Sequence, residues 1–518
     1  MIPILTREQI QAYDRHASER HKVRGLILME NAGRGAAEHV ALMAEQEIKR
    51  LPPGHAAGPV VIVCGPGNNG GDGFVVGRHL LARGLAVEIF LVGPVEGVRG
   101  DARVNLDAFV GIGGELAVIE RRGSLAPLRR SLQQSPLVVD AIFGTGLARA
   151  VEGRYAEVIA TINACECPRV SLDIPSGIDA NDGRVLGSAV KADLTVTFAH
   201  HKAGLLVGQG PAHAGRIERV GLGLPDEEIL DEVGQLGHII DEAAVASWLG
   251  HRPRDLHKYR AGSVLVVAGS PGRVGAALLA ARAALRSGAG IASIATWPEA
   301  ADSIDAQIAE LMTIRLYPAQ LEAGLEAALE RRKAAAIGPG LGLGEHARRL
   351  TERLVLGWDG PVVVDADAIT HFAGRAERLR EAPGPRVLTP HAGELARLLG
   401  TDAAGVEADP LGCAREAAGR TGATVALKGP HTVICSPDAL LLCTRGDAVL
   451  ATAGSGDVLT GMVAALLCSL APMAAAAAAV YLHAFAGERW REREGADRGM
   501  VASDIVDGIP AAIAAIRR

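Results

Sequence analysis

Short apolar runs that end in glycine-rich or polar loops recur along the whole chain, and this alternation strongly constrains the fold. Helix-length segments separate most of the runs. In the first half the runs span residues 59–65, 86–92, 137–143, 170–174 and 194–198. In the second half they begin at 263–270 and continue as IASIAT, AAAIGPG, PVVVDAD, RVLTPH and TVALKGP. Continuous apolar strands between helices are typical of parallel sheets with both faces covered. The sequence therefore predicts doubly wound α/β folds.

The length of 518 residues exceeds what one hydrophobic core ordinarily supports. With 64 glycines and only 3% aromatic residues, the composition favours tight strand-to-helix turns around cores of Ala, Val and Leu. The alternation lapses at residues 221–237, which read as a polar join. No repeat relates the two halves. We therefore predict two unlike layered α/β domains, residues 1–225 and 226–518.

Several classes of protein are disfavoured by composition. A net charge of −6 without a basic stripe argues against nucleic-acid binding. The N-terminal residues lack the apolar segment of a signal peptide. The alanine-rich stretch 462–487 is interrupted by Pro472 and His483, which favours buried helices over a membrane span. Cys165 and Cys167 have neither redox nor zinc spacing, so we expect free thiols in a reducing cytoplasm. Small-molecule substrates and a homo-oligomer are expected.

Three polar loops follow strand-like runs in the first half. The loop 65–73 reads GPGNNGGDG, Asp140 precedes FGTGL, and Asp173 precedes a Pro-Ser-Gly turn. The first loop satisfies G-x-G-x-x-G, but the next strand ends in glycine instead of the acid that holds a ribose in dinucleotide-binding domains. Its Asn and Asp side chains are better interpreted as ligands for a sugar-phosphate or a metal ion. Asp140 and Asp173 could cap turns, yet their place at strand ends favours a ligand site.

The motifs of residues 9–224 resemble the NAD(P)H-hydrate epimerase family. LMENAG, GPGNNGGDGF, FGTGL, DIPSGID and KADLTVTFAHHKAGLL stand in the family's order. The resemblance implies a Rossmann-like domain with Asp173 as the catalytic acid–base group. It also implies a potassium ion held by Asn69, Asp140 and Ser176, oxygen donors that suit a hard cation. The implied substrate-binding residues are Asn68, Asn69, Gly70, Gly71, Asp72, Gly144, Thr145, Gly146, Leu147, Ala148, Arg149, Ala150, Tyr155 and Asp173.

The strongest motif of the second half is AGSGDVLTG at residues 453–461. Backbone N–H groups at a glycine-rich helix start can stabilise a phosphoryl charge, and Asp457 can accept a proton from an attacking hydroxyl. A simple helix cap by Asp457 or Ser455 is the structural alternative. Upstream, LKGPHTVI places Lys428 in a strand-end loop suited to nucleotide phosphates.

Two further strand ends carry polar residues whose roles the local pattern leaves open. His391, in TPHAGE, is either a substrate contact or a residue satisfied within the fold. Asp365 and Asp367, in VVVDADAI, either help to place magnesium through water or cap a helix.

Residues 261–510 resemble the ADP-dependent NAD(P)H-hydrate dehydratase family, which is similar to ribokinase-type kinases. IGPGLG, DADAI, TPHAGE, LKGPHTV and ATAGSGDVLTG stand in family order, although residues 443–454 lack the family's usual Asn-Pro turn. The resemblance implies a ribokinase-like domain that uses ADP, with Mg²⁺, and Asp457 as catalytic base. Implied substrate contacts are Ala277, Gly340, His391 and Asp457. Implied nucleotide contacts are Lys428, Gly429, Pro430, His431, Thr432 and Gly456.

Together the two resemblances imply a bifunctional enzyme that repairs hydrated NADH and NADPH. The front domain would interconvert the R and S hydrates, and the rear domain would dehydrate the S hydrate with ADP, giving AMP and phosphate. A ribokinase-like kinase of a vitamin precursor or sugar is an alternative, because GSGD fits both. A third hypothesis is that the front domain is a binding or scaffolding module without catalytic turnover. The choice of ADP over ATP comes from the resemblance alone.

Overall fold

The structure, a computed structural model, describes residues 1–52, 57–120, 123–307 and 309–517. It divides into two compact units, Pro3–Leu236 and Gly237–Arg518 together with Met1–Ile2, here called the front and rear units. The sequence-based boundary at 225/226 precedes the helix Asp226–Val233, whose Ile229 is fully buried in the core of the front unit. The segment that reads as a polar join therefore contributes a packed helix to the front unit.

The front unit is built on a seven-stranded sheet in which every pair of neighbours is parallel. Its strand order is β4-β3-β2-β5-β6-β7-β9, and the strand β8 pairs separately with β1. Because the order reverses between β2 and β5, the sheet has the switch point of a Rossmann-like fold. The strands are β1 (Ile2–Leu5), β2 (Val60–Cys64), β3 (Val87–Val92), β4 (Glu115–Ile119), β5 (Val138–Ala141), β6 (Arg169–Leu172), β7 (Leu194–Phe198), β8 (His201–Lys202) and β9 (Arg216–Val220).

Helices cover both faces of this sheet, so each face carries its own apolar core. One core includes residues of the first four helices, and the other includes residues of the fifth and sixth. The helices are α1 (Arg7–Glu19), α2 (Gly25–Arg50), α3 (Asn68–Ala82), α4 (Gly100–Gly111), α5 (Ala126–Gln134), α6 (Gly153–Asn163), α7 (Ala203–Leu206), α8 (Pro211–Ala214) and α9 (Asp226–Val233), with a 3-10 turn at Val95–Gly97.

The rear unit contains a ten-stranded mixed sheet with the order β13-β12-β11-β14-β15-β16-β17-β18-β19-β10. All pairings are parallel except those that β18 makes with β17 and β19. The strands are β10 (Gly237–Ile239), β11 (Ser263–Val267), β12 (Ile291–Thr296), β13 (Met312–Arg315), β14 (Ala334–Ile337), β15 (Val362–Val364), β16 (Arg386–Leu388), β17 (Thr424–Leu427), β18 (Thr432–Cys435) and β19 (Leu440–Cys443). The prediction of two unlike layered α/β domains is confirmed.

Thirteen helices accompany the rear sheet in the part of the chain that the structure describes. They are α10 (Glu242–Leu249), α11 (Lys258–Ala261), α12 (Val274–Arg286), α13 (Pro298–Asp305), α14 (Leu321–Leu329), α15 (Glu345–Gly357), α16 (Asp367–Thr370), α17 (Ala392–Leu399), α18 (Ala403–Ala408), α19 (Pro410–Thr421), α20 (Ser455–Leu467), α21 (Pro472–Glu494) and α22 (Ala502–Ile516). Short 3-10 turns lie at Pro318–Gln320, Ala376–Glu381 and Ala448–Leu450. The last turn occupies the segment where the Asn-Pro turn is missing, and Asp447 caps it through Val449 N at 3.1 Å.

The alanine-rich stretch forms parts of α20 and α21, and both helices contribute to the rear core. Across residues 1–52, 57–120, 123–307 and 309–517, the structure contains no helix long and apolar enough to span a membrane. The backbones of helices α12 and α20 approach each other closely at Gly461. A Cβ added to this glycine would lie 1.9 Å from Ala280 O. Small residues therefore allow this helix pair to approach closely.

We predict that Gly461→Ala destabilises the rear unit by about 1–3 kcal/mol, because the new methyl group overpacks the α12–α20 contact. All four tryptophans lie in the rear unit, so urea unfolding followed by tryptophan fluorescence measures its free energy of unfolding selectively. Gly419→Ala, in α19 with open space around it, is the matched control. The control should be neutral or stabilising by up to about 1 kcal/mol. Equal unfolding curves for both variants would contradict the packing argument.

Candidate active sites

A cavity of about 830 Å³ opens in the front unit where the loops after β2, β5 and β6 meet. This is the switch point of the sheet, the usual ligand position in such folds. Helices α1 and α2 supply further wall residues, including Asp14 and Met29. The predicted substrate-binding residues that line the cavity are Asn68, Asn69, Asp72, Gly144, Thr145, Gly146, Leu147, Ala148, Arg149 and Asp173.

The other predicted substrate contacts lie around the cavity wall. Gly70 and Gly71 lie in the first turn of α3, where added Cβ atoms would come within 1.9 Å of Gly65 O and 2.6 Å of Met29 Sδ. These glycines allow the loop to turn tightly into the helix. Tyr155 packs its ring against Phe143, with ring centroids 4.8 Å apart, and donates to Val92 O at 3.3 Å. Tyr155 therefore supports Phe143, which lines the cavity. Ala150 is an exposed residue that ends the loop.

The three predicted potassium ligands lie in buried positions at adjacent loop starts. Asp140 is fully buried and accepts from Ser176 N at 2.9 Å, Ser176 Oγ at 2.6 Å and Ser171 Oγ at 2.8 Å. Burial raises the pKa of Asp140, while the hydrogen bonds from Ser176 oppose the shift. Both polar atoms of the buried Asn69 amide lack a hydrogen-bond partner in the described structure. An amide oxygen without a partner, a carboxylate and a hydroxyl are the kinds of oxygen donor that a hard cation prefers.

Asp173 occupies a strained backbone position directly after β6, with φ of +66°. Its carboxylate forms an ion pair with Lys202, whose side chain is only 1% exposed. The ammonium also donates to Thr197 Oγ1 at 3.0 Å and to Phe198 O at 2.7 Å. Because non-glycine residues seldom adopt positive φ, the surrounding structure must hold Asp173 in this conformation. Lys202 belongs to the motif KADLTVTFAHHKAGLL, but no local pattern indicates that it pairs with Asp173.

Arg7 fixes one wall of the cavity from the start of α1. Its guanidinium donates to Thr145 O and Leu147 O at 2.8 Å each, and to Asp179 Oδ2 at 2.7 Å. The loop 144–150 is therefore held by backbone contacts that a local sequence pattern does not reveal.

In the rear unit, Asp457 lies in the first turn of α20, near Lys428 at the end of β17. Lys428 Nζ lies 3.0 Å from Asp365 Oδ1 and 3.9 Å from Glu394 Oε2. A Cβ added to Gly456 would lie 3.3 Å from Lys428 Nζ, so the glycine admits the ammonium to the helix start. The predicted base and the predicted phosphate-binding lysine thus meet at one helix N-terminus.

Burial, reinforced by the charge of Asp365, raises the pKa of Asp457 to about 6, and the ammonium of Lys428 opposes the shift. Burial lowers the pKa of Lys428, but Asp365 and Glu394 outweigh it and the net direction is upward. Lys428 is therefore held as a cation. The buried His483 lies 3.1 Å from Ser455 Oγ, and burial lowers its pKa to about 4. A neutral imidazole therefore fixes the start of α20.

Other predicted rear-site residues surround this centre. His391 caps α17, accepting from Gly393 N at 3.0 Å, and its backbone pairs with Lys428. Gly340 has φ of +60° in the loop after β14, whereas Ala277 is fully buried in α12. Asp367 accepts from Gly342 N at 2.8 Å. The predicted nucleotide contacts Gly429, Pro430, His431 and Thr432 form the turn from β17 into β18.

Asp365 is 1% exposed and its oxygens already contact Lys428 and Thr460 Oγ1, the latter at 2.6 Å. In the described ranges, no group of three or more His, Cys, Asp or Glu side chains is arranged to hold a metal ion. The donor set of this unit alone thus offers little to Mg²⁺.

Comparison with known proteins matches both units. A family model described as YjeF-related protein N-terminus matches residues 25–204, and one described as NAD(P)H-hydrate dehydratase matches residues 264–511. The bifunctional NAD(P)H-hydrate repair enzyme Nnr of Moorella thermoacetica is 40% identical over 522 residues, covering 98% of this chain and 96% of that protein. Its Escherichia coli counterpart is 35% identical, covering 86% of this chain and 83% of that protein.

Solved structures resemble the rear part of the chain. The ADP/ATP-dependent NAD(P)H-hydrate dehydratase from Bacillus subtilis is 33% identical, with a TM-score of 0.48, and the match covers 54% of this chain and 99% of that one. The sequence relatives and both family models confirm the resemblance that the motifs indicated. The chain belongs to the family of bifunctional NAD(P)H-hydrate repair enzymes, with an epimerase-type domain followed by a dehydratase domain.

Proposed function

We propose that the front unit interconverts the R and S hydrates of NADH and NADPH at Asp173, and that the rear unit dehydrates the S hydrate at Asp457 with ADP as co-substrate. The observation that carries the rear-unit proposal is the meeting of Asp457, Lys428 and Gly456 at the start of α20. This arrangement combines a base, a cation and backbone N–H donors within one site, which is what phosphoryl transfer to a hydroxyl needs.

The proposed dehydration has two steps. The Asp457 carboxylate accepts the proton of the ring hydroxyl as its oxygen attacks the β-phosphorus of ADP, and the P–O bond to the α-phosphate breaks to release AMP. The lone pair of the ring nitrogen then expels phosphate from the carbon, and loss of a proton from the neighbouring carbon restores the double bond of NAD(P)H. Lys428 and the amides of residues 454–456 stabilise the charge on the transferred group.

The proposed nucleotide site extends from Lys428 and Gly456 along the turn formed by Gly429, Pro430, His431 and Thr432. His391, Gly340 and the backbone around Ala277 would face the hydrated substrate. Mg²⁺ would arrive on the nucleotide phosphates, because Asp365 is engaged by Lys428 and Thr460.

In the front unit, Lys202 holds Asp173 at the cavity wall as the proposed acid–base group. A potassium ion would be held by Asn69, Asp140 and Ser176, where it would supply positive charge to a bound anionic substrate. The unpaired Asn69 amide and the buried Asp140 carboxylate support this proposal. The N-terminus of α3, capped by Gly67 without a side-chain hydrogen bond, can receive a phosphate of the nucleotide.

We also propose a cytoplasmic location, supported by free cysteines throughout the described residues. The homo-oligomeric state stays a prediction.

Asp457→Asn should lower the ADP-dependent dehydration rate by about 10²–10⁴-fold, because the amide cannot accept the hydroxyl proton. Dehydration by the wild type should rise with pH through about 6, since the base acts as the carboxylate and burial raises the pKa of Asp457 to about 6. The measurement is NADH recovery from the S hydrate with saturating ADP. The exposed Asp438→Asn is the matched control and should behave as wild type. A near-normal rate in Asp457→Asn would exclude Asp457 as the base.

Asp173→Asn should leave dehydration of the S hydrate unchanged while the R hydrate persists unconsumed, because the front site loses its acid–base group. Chromatographic separation of the two hydrates during turnover with ADP measures both outcomes in one experiment. Asp182→Asn, an exchange of a residue remote from the cavity lining, is the control. Complete consumption of both hydrates at the wild-type rate would overturn the assignment of Asp173.

A further inference from the structure

Helix α1 brings a carboxyl group into the front cavity that neither the motifs nor the family match assigns. Asp14 lines the cavity together with Asp173, Asp72 and Lys202. Helix α1 precedes residue 25, where the match to the YjeF-related model begins. Four carboxyl groups, including that of Asp101 on α4, and the basic side chains of Lys202 and Arg149 therefore share one ligand-sized space.

The surroundings of Asp14 make its charge sensitive to pH near neutrality. Its side chain meets solvent inside the cavity, yet dense protein surrounds it on the walls. Burial, and then the charge of Asp173, raises the pKa of Asp14 to about 6, whereas Lys202 and Arg15 oppose the shift. Asp72 on α3 and Asp101 on α4 also face this space, as does Arg149. Both Asp173 and Asp14 raise the pKa of Asp72. These surroundings therefore favour the protonated form of Asp14 more than water does.

Asp14, Asp72 and Asp173 differ in their contacts. Asp173 is paired with the ammonium of Lys202, which compensates its negative charge. Asp72 is buried within α3, and burial raises its pKa well above the usual range. Asp14 alone among these three combines a solvent-accessible carboxyl with no lysine bonded to it in the described structure. Two carboxyl groups in unlike environments are the arrangement by which enzymes separate acid and base roles.

We propose that Asp14 is a second catalytic residue of the front unit, exchanging protons with the substrate hydroxyl in partnership with Asp173. The inference rests on the epimerase function proposed above. The carboxylic acid of Asp14 protonates the departing hydroxyl, and the carbon–oxygen bond breaks with its electron pair leaving in water. The ring-nitrogen lone pair forms the carbon–nitrogen double bond of an iminium ion.

Water then adds to the other face of the iminium carbon, the electron pair of the double bond returns to nitrogen, and the released proton goes to the Asp173 carboxylate. The reaction consumes no oxidant or co-reactant, and one proton has moved from Asp14 to Asp173. The reverse passage, or exchange with water in the cavity, returns the proton. One protonated and one ionised carboxyl group are thus required in either direction.

The test is the interconversion of purified R and S hydrates by the full-length protein without ADP, followed by chromatography. Asp14→Asn should lower kcat by about 10²-fold or more, with KM near the wild-type value. The wild-type rate should fall as pH rises through about 6, because the acid form of Asp14 is depleted, and this limb should disappear in the variant. Asp14→Glu should recover part of the rate. Glu19→Gln, an exposed position on the same helix, is the matched control.

The outcomes separate this inference from the function on which it rests. ADP-dependent dehydration of the S hydrate by Asp14→Asn at the wild-type rate shows that the rear unit is intact, and partial recovery of interconversion by Asp14→Glu shows that an exchange at this position leaves the front unit folded. A wild type that fails to interconvert the hydrates would overturn the epimerase proposal itself. A wild type that interconverts them, with Asp14→Asn equally fast and with the same pH profile, would overturn the role of Asp14 alone. A change in KM without a change in kcat would reduce Asp14 to a binding residue and also contradict the proposal.

Discussion

A lysine ammonium paired with an aspartate at the carboxyl end of a parallel strand organises each of the two sites. In the front unit Lys202 pairs with Asp173 after β6, and in the rear unit Lys428 pairs with Asp365 after β15. Removing such charges from water costs several kcal/mol per ion, and only close pairing with further hydrogen bonds offsets that cost. The remaining acidic groups of each site depend on this compensation. Without Lys428, for example, Asp457 would share its surroundings with Asp365 and Glu394 uncompensated.

Backbone strain accompanies both pairs. Asp173 itself has φ of +66°, and Ala366, which directly follows Asp365, has φ of +50°. Each strained residue costs about 1–3 kcal/mol, which the surrounding packing must supply. The cores on both faces of each sheet provide that rigidity, so carboxyl groups at strand ends are presented in fixed positions. Two unlike topologies thereby hold an aspartate beside a lysine at the end of a parallel strand in the same way.

Much of this architecture follows from local sequence patterns. Apolar runs followed by glycine loops predicted the strands. The candidate sites lie at the ends of these strands, because parallel strands end at a common edge. Hydrogen bonds join Asp140 and Ser176, two of the three residues predicted to bind potassium, and their role as ligands stays a prediction. Lys202 and Asp14 escaped prediction because each reaches the cavity only through tertiary folding, one from a short edge strand and the other from the first helix. Likewise, no local pattern indicated that the polar join contains helix α9, whose Ile229 packs into the core of the front unit.

Recovery of NADH from a mixture of R and S NADH hydrates tests the central claim most directly. The purified protein is incubated with both epimers and with ADP, with ATP or with neither nucleotide, while near-ultraviolet absorbance reports NADH. The two-site account predicts ADP-dependent recovery from both epimers, with the S form consumed directly and the R form after interconversion. Failure to recover NADH with either nucleotide would contradict it.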